Sequence, residues 1–409
     1  MTVQMLKLSE CTTLAKGKPP SELPYFGDDA EPYLSPEYLR GKGVAEPAKP
    51  ASNAVRVKDG DTILLWDGSN AGEVFRAHAG LLASTMTHIG HSDEFKPEYF
   101  CYAAKRWESY LKGQTSGSGI PHVDKEVLGK LEILKLPPDE QTLVANILNA
   151  LDRAIEQTES LITKQQRIKT GLMQDLLTKG IDEHGNIRSE ATHAFKDSPL
   201  GRIPVEWDVD LLDKLALRGS GHTPSKRRSE YWNGGIKWIS LADSSSLDRI
   251  HISVTDKEIS ELGLKNSSAV LHPAGTVVLS RDAGVGKSAV MGCDMAVSQH
   301  FMAWRCGKRL HNYFLYYWLQ RDKPRFEGIA SGSTIVTIGL QFFRNYQISY
   351  PIDITEQVDI AKVLLDADEM LFRLESVLGK LMHIRSGLMH DLLTGKRRVT
   401  SLLAPLAAQ

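Results

Sequence analysis

The octapeptide GLMQDLLT at Gly171–Thr178 returns almost unchanged as GLMHDLLT at Gly387–Thr394, 216 residues later. Extending the match backwards without gaps pairs Glu140–Gln141 with Glu356–Gln357, and 16 of the 39 aligned positions are identical. Unrelated helical segments share only a few residues over such a length, so the chain contains an internal duplication. We therefore expect two halves of similar design.

Both copies of the repeat are expected to be long helices. Neither copy contains proline, and each follows one, Pro138 or Pro351, which fits a helix boundary. Apolar residues recur with the alternating three- and four-residue spacing of a coiled-coil seam at Leu148, Leu151, Ile155, Ile162, Leu172, Leu176, Leu364, Ala367, Leu371, Leu378, Leu388 and Leu392. A helix of this length spans about 60 Å. The two copies are expected to pair with each other as a spacer.

A second apolar stripe runs beside the seam in both copies. Two paired helices need only the seam, so a wider apolar face has something else packed on it. We expect globular domains or partner subunits there, and the predicted partner-binding residues are Ile147, Leu161, Ile168, Val363, Met370, Val377 and Ile384. The alternative is a helical hairpin inside one larger domain, which is disfavoured because 177 residues separate the two helices.

The segments before the two helices are expected to be globular domains of one design. Asp59–Trp66, DGDTILLW, and Pro273–Ser280, PAGTVVLS, each have the pattern of a turn followed by a strand. The predicted fold class is α+β, with two globular domains separated by two long antiparallel coiled-coil helices in a pseudo-twofold repeat. The predicted boundaries are a first domain at 1–138, a spacer helix at 139–180, a linker at 181–200, a second domain at 201–350, a second spacer helix at 351–396 and a tail at 397–409.

Composition narrows the class of protein. The chain has 409 residues, of which 42% are hydrophobic and 24% charged, values typical of a globular protein too long for one ordinary core. Lys and Arg number 49 and Asp and Glu 50, a balance that neither supports nor excludes nucleic-acid binding. The four cysteines form no CxxC pair, which argues against a zinc or redox site. No signal-peptide core or long apolar run occurs, so a cytoplasmic protein without membrane contact is expected.

No catalytic centre is predicted. The turn RDAGVGKS ends like a phosphate-binding loop, but Arg281 stands where that pattern needs glycine, and the flanks read strand–turn–strand. Methyltransferase, nuclease and HExxH signatures are absent, and Leu136–Asp139, LPPD, is a helix entry. We expect Arg281, Lys287 and Ser288 instead to contact phosphates or bases from the rim of a β-hairpin.

Basic and small polar residues cluster at Ser220–Asp243, SGHTPSKRRSEYWNGGIKWISLAD. Cationic side chains there can contact phosphates, and arginine can read guanine edges, although an ordinary solvated loop is the alternative. Trp238, flanked by Ile236 and Ile239, is expected in the core. The nucleic-acid-binding residues predicted in the second domain are Thr223, Ser225, Lys226, Arg227, Arg228, Arg281, Lys287, Ser288, Ser333 and Thr334. The first domain, whose acidic stretch DDAEPYLSPEYL departs from the basic pattern, has the weaker candidates Lys16, Lys18, Ser69, Asn70, Ser116, Ser118 and His122.

Several of these motifs together resemble a known family. GRIPVEW at 201–207, the SGHTPS turn, YWNGGIKWISLAD, the closing LLTGKRRV and the twice-used GLMxDLLT helix resemble the specificity subunits of type I restriction–modification systems, which act in bacterial defence. The resemblance covers most of the chain, but the first half lacks the GxxPxxW entry and the TPS turn. It implies a non-catalytic, sequence-specific DNA-binding subunit. Each globular segment would be a target-recognition domain reading one half of a split, asymmetric site in double-stranded DNA, and the paired helices would fix the gap.

The resemblance also implies partners. Two methyltransferase subunits would dock on the helices and bring S-adenosylmethionine for adenine N6-methylation. Restriction subunits, which are motor–nucleases, would bring ATP and Mg, so no cofactor is expected on this chain itself. Two other classes remain open: a fused methyltransferase or nucleotide hydrolase, which binding of S-adenosylmethionine or ATP by the isolated chain would reveal, and a coiled-coil adaptor that does not bind DNA.

Overall fold

The two repeats form two long α-helices, Pro138–Leu176 and Ile354–Leu393 (the first and second long helix). The structure is a computed structural model that describes residues 4–115, 120–330 and 337–403. Acidic residues lie in the first turn of each helix, Asp139 and Glu140 in the first and Glu356 in the second, where a carboxylate stabilises the positive end of the helix dipole. Within the residues described, no helix combines the length and apolarity needed to cross a membrane.

The chain divides into two compact units. Unit 1 comprises Met1–Ser160 and Glu375–Gln409, and unit 2 comprises Leu161–Leu374. Each unit therefore contains a globular part and a portion of both long helices. The mixture of helices and mainly antiparallel sheets confirms the predicted α+β class.

Unit 1 contains two four-stranded sheets. The first sheet is antiparallel throughout and has the order Thr12–Lys16, Met86–His91, Thr62–Leu65, Val74–Arg76. The second has a parallel middle pair and the order Glu46–Ala48, Glu31–Leu34, Gly80–Leu82, Arg56–Val57. A separate ladder pairs Gln4–Lys7 with Glu132–Lys135. The short helices are Leu8–Cys11, Pro36–Leu39, Pro97–Lys105, Glu108–Gly113, Lys125–Lys130 and Thr400–Leu403.

Unit 2 also contains two main sheets, and its first sheet has a fifth strand. Its first sheet has the order Ala216–Ser220, Phe301–Cys306, Val277–Ser280, Ser288–Met291, His251–Ile252. Its second sheet has the order Lys257–Ile259, Trp232–Ile239, Met295–Val297, Leu271–His272. Separate ladders pair Trp207–Leu211 with Gln347–Pro351, and Phe195–Ser198 with Gly201–Pro204. Its other helices are Leu212–Leu215, Glu261–Lys265, Asn312–Ile329 and Leu340–Arg344, with 3-10 turns at Ser229–Tyr231 and Leu241–Ser246.

The globular parts of the two units share one topology. The first four strands of the first sheet follow the same order and are antiparallel in both units, and the second sheet has the same parallel middle pair. The strands predicted in DGDTILLW and PAGTVVLS form as Thr62–Leu65 and Val277–Ser280. Each is the third strand in the first sheet of its unit. The duplication therefore includes the globular parts, where the sequences have diverged.

Within each unit the two long helices run antiparallel. Leu148, near the start of the first helix, shares a hydrophobic cluster with Met389 and Leu392, near the end of the second. In unit 2, Leu364, near the start of the second helix, likewise shares a cluster with Leu176, at the end of the first. All the predicted seam residues are buried or half-buried. Full burial of such a side chain contributes about 1.5–3 kcal/mol, so the seam stabilises the pairing.

In unit 1, a carboxylate on the first long helix contacts two partners. The Tyr102 hydroxyl donates to Asp152 at 2.7 Å, and Asp152 forms an ion pair with Arg385 of the second long helix. Burial and then this hydrogen bond raise the pKa of Tyr102, so the phenol keeps its proton and remains a donor. Asp152 therefore connects the globular part to both helices.

Unit 2 contains the same contact with the roles of the helices exchanged. The Tyr317 hydroxyl donates to Asp368 at 2.7 Å, and Asp368 forms an ion pair with Lys169 of the first long helix. Asp368 is the repeat counterpart of Asp152, and Lys169 that of Arg385. The Asp368 and Lys169 side chains are 15% and 23% exposed, so water screens this pair less than an open surface pair.

A glutamate in the first turn of each long helix contacts an arginine from the segment that follows the other helix. Glu140 accepts from Arg398 at 2.5 Å in unit 1. Glu356 accepts from Arg188 at 2.5 Å and from the Trp207 indole at 3.0 Å in unit 2. The two glutamate side chains are only 3% and 10% exposed, and carboxylates so buried need partners of this kind.

The segment 181–200, predicted to be a linker, is structured. It contains the strand Phe195–Ser198 and the buried Arg188. This polar segment uses Arg188 to pair with Glu356 in the first turn of the second long helix.

Replacing Asp368 with asparagine is expected to lower the free energy of unfolding by about 1–3 kcal/mol, because Lys169 loses its carboxylate partner in a shielded site. Urea unfolding followed by circular dichroism measures the change. Glu369→Gln is the matched control, since the neighbouring Glu369 pairs with Arg373 while both side chains are more than half exposed, and it should unfold like the parent. Equal stability of D368N and the parent would mean that this contact does not stabilise the fold.

Candidate nucleic-acid interface

The candidate interface of unit 2 begins where the strand Ala216–Ser220 leads into the loop Gly221–Ser225. A Cβ atom at Gly221 would lie 1.6 Å from the carbonyl oxygen of Val297. The same oxygen accepts a hydrogen bond from the His222 amide at 3.1 Å. Only glycine fits this close approach, so the direction in which the loop leaves the sheet is fixed.

Two indole rings bind this loop. Trp238 donates from Nε1 to the carbonyl of His222 at 3.1 Å, and Trp232 donates to the carbonyl of Ser225 at 3.2 Å. The rings meet edge to face with centroids 5.2 Å apart. Trp238 is 4% exposed and lies in the core, as expected from its apolar neighbours. The aromatic pair thus links the loop to the core.

A chain of polar contacts follows the edge of the interface. The Thr223 hydroxyl donates to Gln299 Oε1 at 2.7 Å, and Gln299 Nε2 lies 3.3 Å from His300 Nε2. His300 Nδ1 lies 2.7 Å from the carboxylate of Asp282, which also accepts from the Thr337 hydroxyl. This polar chain joins segments that are far apart in the sequence.

A cavity of about 670 Å³ opens beside the polar chain. Its lining combines the cations Lys226 and Lys257, the amides of Asn233 and Gln299, and the Trp232 ring. Cations suit phosphates and amides suit base edges, so this lining has the chemistry of a nucleic-acid contact surface.

Five residues predicted in the second domain lie on or next to this loop. They are Thr223, Ser225, Lys226, Arg227 and Arg228. Thr223 and Lys226 line the cavity, and the others are exposed. Arg228 lies 3.4 Å from Glu230, whereas Arg227 has no ion-pair partner among the residues described. Arg227 is therefore the arginine of this run with no competing carboxylate.

Arg281 joins the far end of the polar chain. Its side chain is 19% exposed, with Nη2 3.4 Å from the Thr337 hydroxyl and Nε 3.5 Å from Asp282. Ser333 and Thr334, also predicted for this domain, lie outside the described residues.

The other two hairpin residues do not join this edge. The Lys287 ammonium donates to the carbonyl of Ser244 at 3.2 Å. Ser288 is fully buried, and its hydroxyl accepts from Gln320 at 2.9 Å. The expectation that Ser288 contacts nucleic acid is wrong for this conformation, because the side chain faces the interior of the unit.

Sequence reasoning missed Gln299, His300, Asn233 and Lys257. Gln299 and His300 lie in SQH, a polar tripeptide between the strands Met295–Val297 and Phe301–Cys306. A polar turn between two apolar runs was a signal that could have found them. Asn233 and Lys257 carried no comparable signal.

Unit 1 has the corresponding strand end with different residues. A Cβ atom at Gly17 would lie 2.1 Å from the Ala83 carbonyl oxygen, the same close approach as in unit 2. Lys16 forms an ion pair with Asp67 at 2.7 Å, and the backbone of Asp67 bridges to that of His122. A lysine–aspartate pair thus lies where unit 2 presents its polar chain.

The other residues predicted to bind nucleic acid in the first domain are either exposed or outside the described residues. Lys18, Ser69 and Asn70 are exposed, whereas Ser116 and Ser118 lie outside the described residues. The acidic stretch forms the strand Glu31–Leu34 and the helix Pro36–Leu39, and the carboxylate of Glu31 pairs with Arg56 at 2.8 Å. Part of that acidity is therefore matched by a basic side chain of the same unit.

The second apolar stripe of the long helices is exposed in both units. Exposed fractions of 39–52% are found at Leu161, Ile168, Val363, Met370, Val377 and Ile384. Ile147 differs, since it is half-buried and packs against the core of unit 1, so here the stripe faces the globular part. Phe372 and Met382, 71% and 53% exposed, were not predicted. Exposed apolar side chains in such number suggest a docking surface.

Comparison with known proteins gives one consistent family. A family model described as the type I restriction modification DNA specificity domain matches residues 2–165 and 204–380. Over 413 aligned residues the chain is 29% identical to the type I restriction enzyme MjaVIII specificity subunit of Methanocaldococcus jannaschii, covering 98% of this chain and 94% of that protein. It is 31% identical over 180 residues to the MjaIX specificity subunit of the same organism, covering 43% and 41%.

Solved structures share the fold. The crystal structure of the type I restriction–modification S subunit from M. genitalium superposes with a TM-score of 0.62 at 16% identity, over 96% of both chains. A chain from work on complex assembly and conformational transition of the type I R-M system gives 0.58 at 16% identity, over 96% of this chain and 97% of that one. At this identity the likeness concerns the fold alone.

Arg227→Ala is expected to weaken binding to all DNA duplexes alike and to reduce the slope of log affinity against log salt by about 1, as for one lost phosphate contact. Fluorescence anisotropy over a salt series, with the methyltransferase partner present, measures both effects. Lys308→Ala is the control. Lys308 is exposed and follows the strand Phe301–Cys306, whereas His300 precedes that strand, so the two residues lie at its opposite ends. An unchanged salt slope for R227A would remove this residue from the interface.

Proposed function

The chain belongs to the type I restriction–modification DNA specificity family, and from this we propose that it reads a bipartite, asymmetric site in double-stranded DNA, one half with each unit. It is the sequence-specific DNA-binding subunit of the complex and carries no catalytic centre. It also provides the scaffold on which methyltransferase and motor–nuclease subunits assemble.

The observation that carries this proposal is that the two units share one sheet topology but differ in the polar contacts at one edge of it. Both units contain two sheets in which the first four strands follow one order, and in both a glycine follows the first strand of the first sheet. At that edge, unit 2 places Gln299 and His300 in contact with Asp282, whereas unit 1 pairs Lys16 with Asp67. Two modules with one fold and different polar contacts at the same edge are suited to read two different half-sites.

The long helices support a role as spacer and scaffold. Their antiparallel pairing is fixed in each unit by ion pairs at repeat-related positions, so the helices can set a constant gap between the half-sites. The exposed stripe also repeats, with Leu161 and Ile168 on one helix matching Val377 and Ile384 on the other. Two copies of one surface suit two copies of one partner, and we assign them to two methyltransferase subunits.

The chemistry belongs to those partners. S-adenosylmethionine and adenine N6-methylation are assigned to the methyltransferase subunits, and ATP, Mg and DNA cleavage to the restriction subunits.

Exchanging residues 201–350 for the equivalent segment of another specificity subunit tests the proposal. The hybrid, expressed with its methyltransferase subunit, is expected to methylate a site in which one half is new while the other half and the gap are unchanged. Mapping methylated adenines by single-molecule sequencing gives the site. The matched control exchanges residues 1–138, which should change the other half only. A change in both halves from either exchange would contradict independent reading.

A further inference from the structure

Gln299 is the residue of the polar chain whose amide orientation the structure defines. An amide side chain has a donor end and an acceptor end, and which end faces which neighbour decides what it can recognise. The Thr223 hydroxyl can donate to Gln299 Oε1, 2.7 Å away, and thereby favours the acceptor end on its own side. The other end, Nε2, faces His300.

Asp282 determines which atom His300 presents to the glutamine. The Asp282 carboxylate accepts, so the His300 Nδ1 atom 2.7 Å away carries the proton. In the neutral ring the opposite atom, Nε2, is then an acceptor, and it suits the Gln299 N–H at 3.3 Å. A flipped amide would place its oxygen against this acceptor, which is repulsive. Thr223 and the His300–Asp282 pair therefore favour the same orientation.

The oriented amide keeps hydrogen-bonding capacity for a ligand. The Oε1 atom has a second lone pair and the Nε2 atom a second N–H, and no further partner for either lies among the described residues. Gln299 is exposed and lines the cavity whose cations, Lys226 and Lys257, suit phosphates. One acceptor and one donor on a planar group match the N6 amino group and N7 of adenine.

We infer that Gln299 is a specificity-determining residue that reads one adenine in the half-site of unit 2, and that Thr223 and His300 are positioning residues for its amide. The inference rests on the proposed function, because it assigns one base to one side chain of the same interface. Lys226 and Lys257 contact the backbone beside that base. Guanine presents an acceptor, O6, where adenine presents its amino group, so the oriented Oε1 atom disfavours guanine there.

The test uses the complex of the full chain with its methyltransferase subunit. Its affinity is measured for the recognised duplex and for duplexes with each base pair of the unit 2 half-site replaced in turn. For the parent complex, replacing one A·T pair should weaken binding about 5- to 150-fold through the loss of a bidentate contact. In Gln299→Ala that position should lose its discrimination, while every other position of both half-sites keeps it. Discrimination retained elsewhere shows that the variant is folded.

A pair of variants at Thr223 tests the positioning. Thr223→Val removes the hydroxyl and keeps the shape, so discrimination should fall at the same base pair as in Q299A, whereas Thr223→Ser keeps the donor and should retain it. Four outcomes would overturn the inference: full discrimination in Q299A, a uniform loss at all positions, a relaxed position that is not A·T, or equal behaviour of T223V and T223S. A parent complex with no sequence preference would instead overturn the proposed function itself.

Discussion

The two-unit design depends on the contacts that one shielded aspartate on each long helix makes with a tyrosine and with a cation. Asp152 and Asp368 each accept a hydrogen bond from a tyrosine of the globular part and each pair with a cation on the other helix. The apolar seam supplies most of the stabilisation, but burial is not directional and does not by itself select one register. A charged pair with a defined partner does, because a slip along the helix would leave both charges unpaired. Each aspartate therefore specifies both the register of the paired helices and the position of the globular part on them.

The duplicated frame explains how one chain can carry two unlike polar edges. The core needs the strand order and the close approach at Gly17 and Gly221, so these are the same in both units. The polar contacts at the ends of these strands differ. In unit 2 they form a polar chain anchored by two indoles, and in unit 1 a lysine–aspartate pair. Under the proposed function, stability and specificity are carried by different residues of one design.

The sequence was most informative where contacts are periodic and local. The two long helices and their seam followed from the spacing of apolar residues, and the duplication followed from residue identity. Trp238 was placed in the core from its immediate neighbours. The shared sheet topology could not be predicted in the same way, because its strands are as short as Arg56–Val57 and pair across long separations. The polar tripeptide SQH could have pointed to Gln299 and His300, but their contacts with Thr223 and Asp282 join segments distant in sequence, which no spacing rule shows. Ser288 was misjudged because tertiary packing, not local pattern, decides which face of a strand is buried.

The most direct measurement is the methylation pattern that this chain directs. A host that lacks adenine methylation would express the chain with its methyltransferase subunit, and single-molecule sequencing would map N6-methyladenine across the genome. The account predicts one asymmetric motif made of two unlike halves separated by a constant gap, with a methylated adenine in each half. An uninterrupted or palindromic motif, or methylation without any motif, would contradict it.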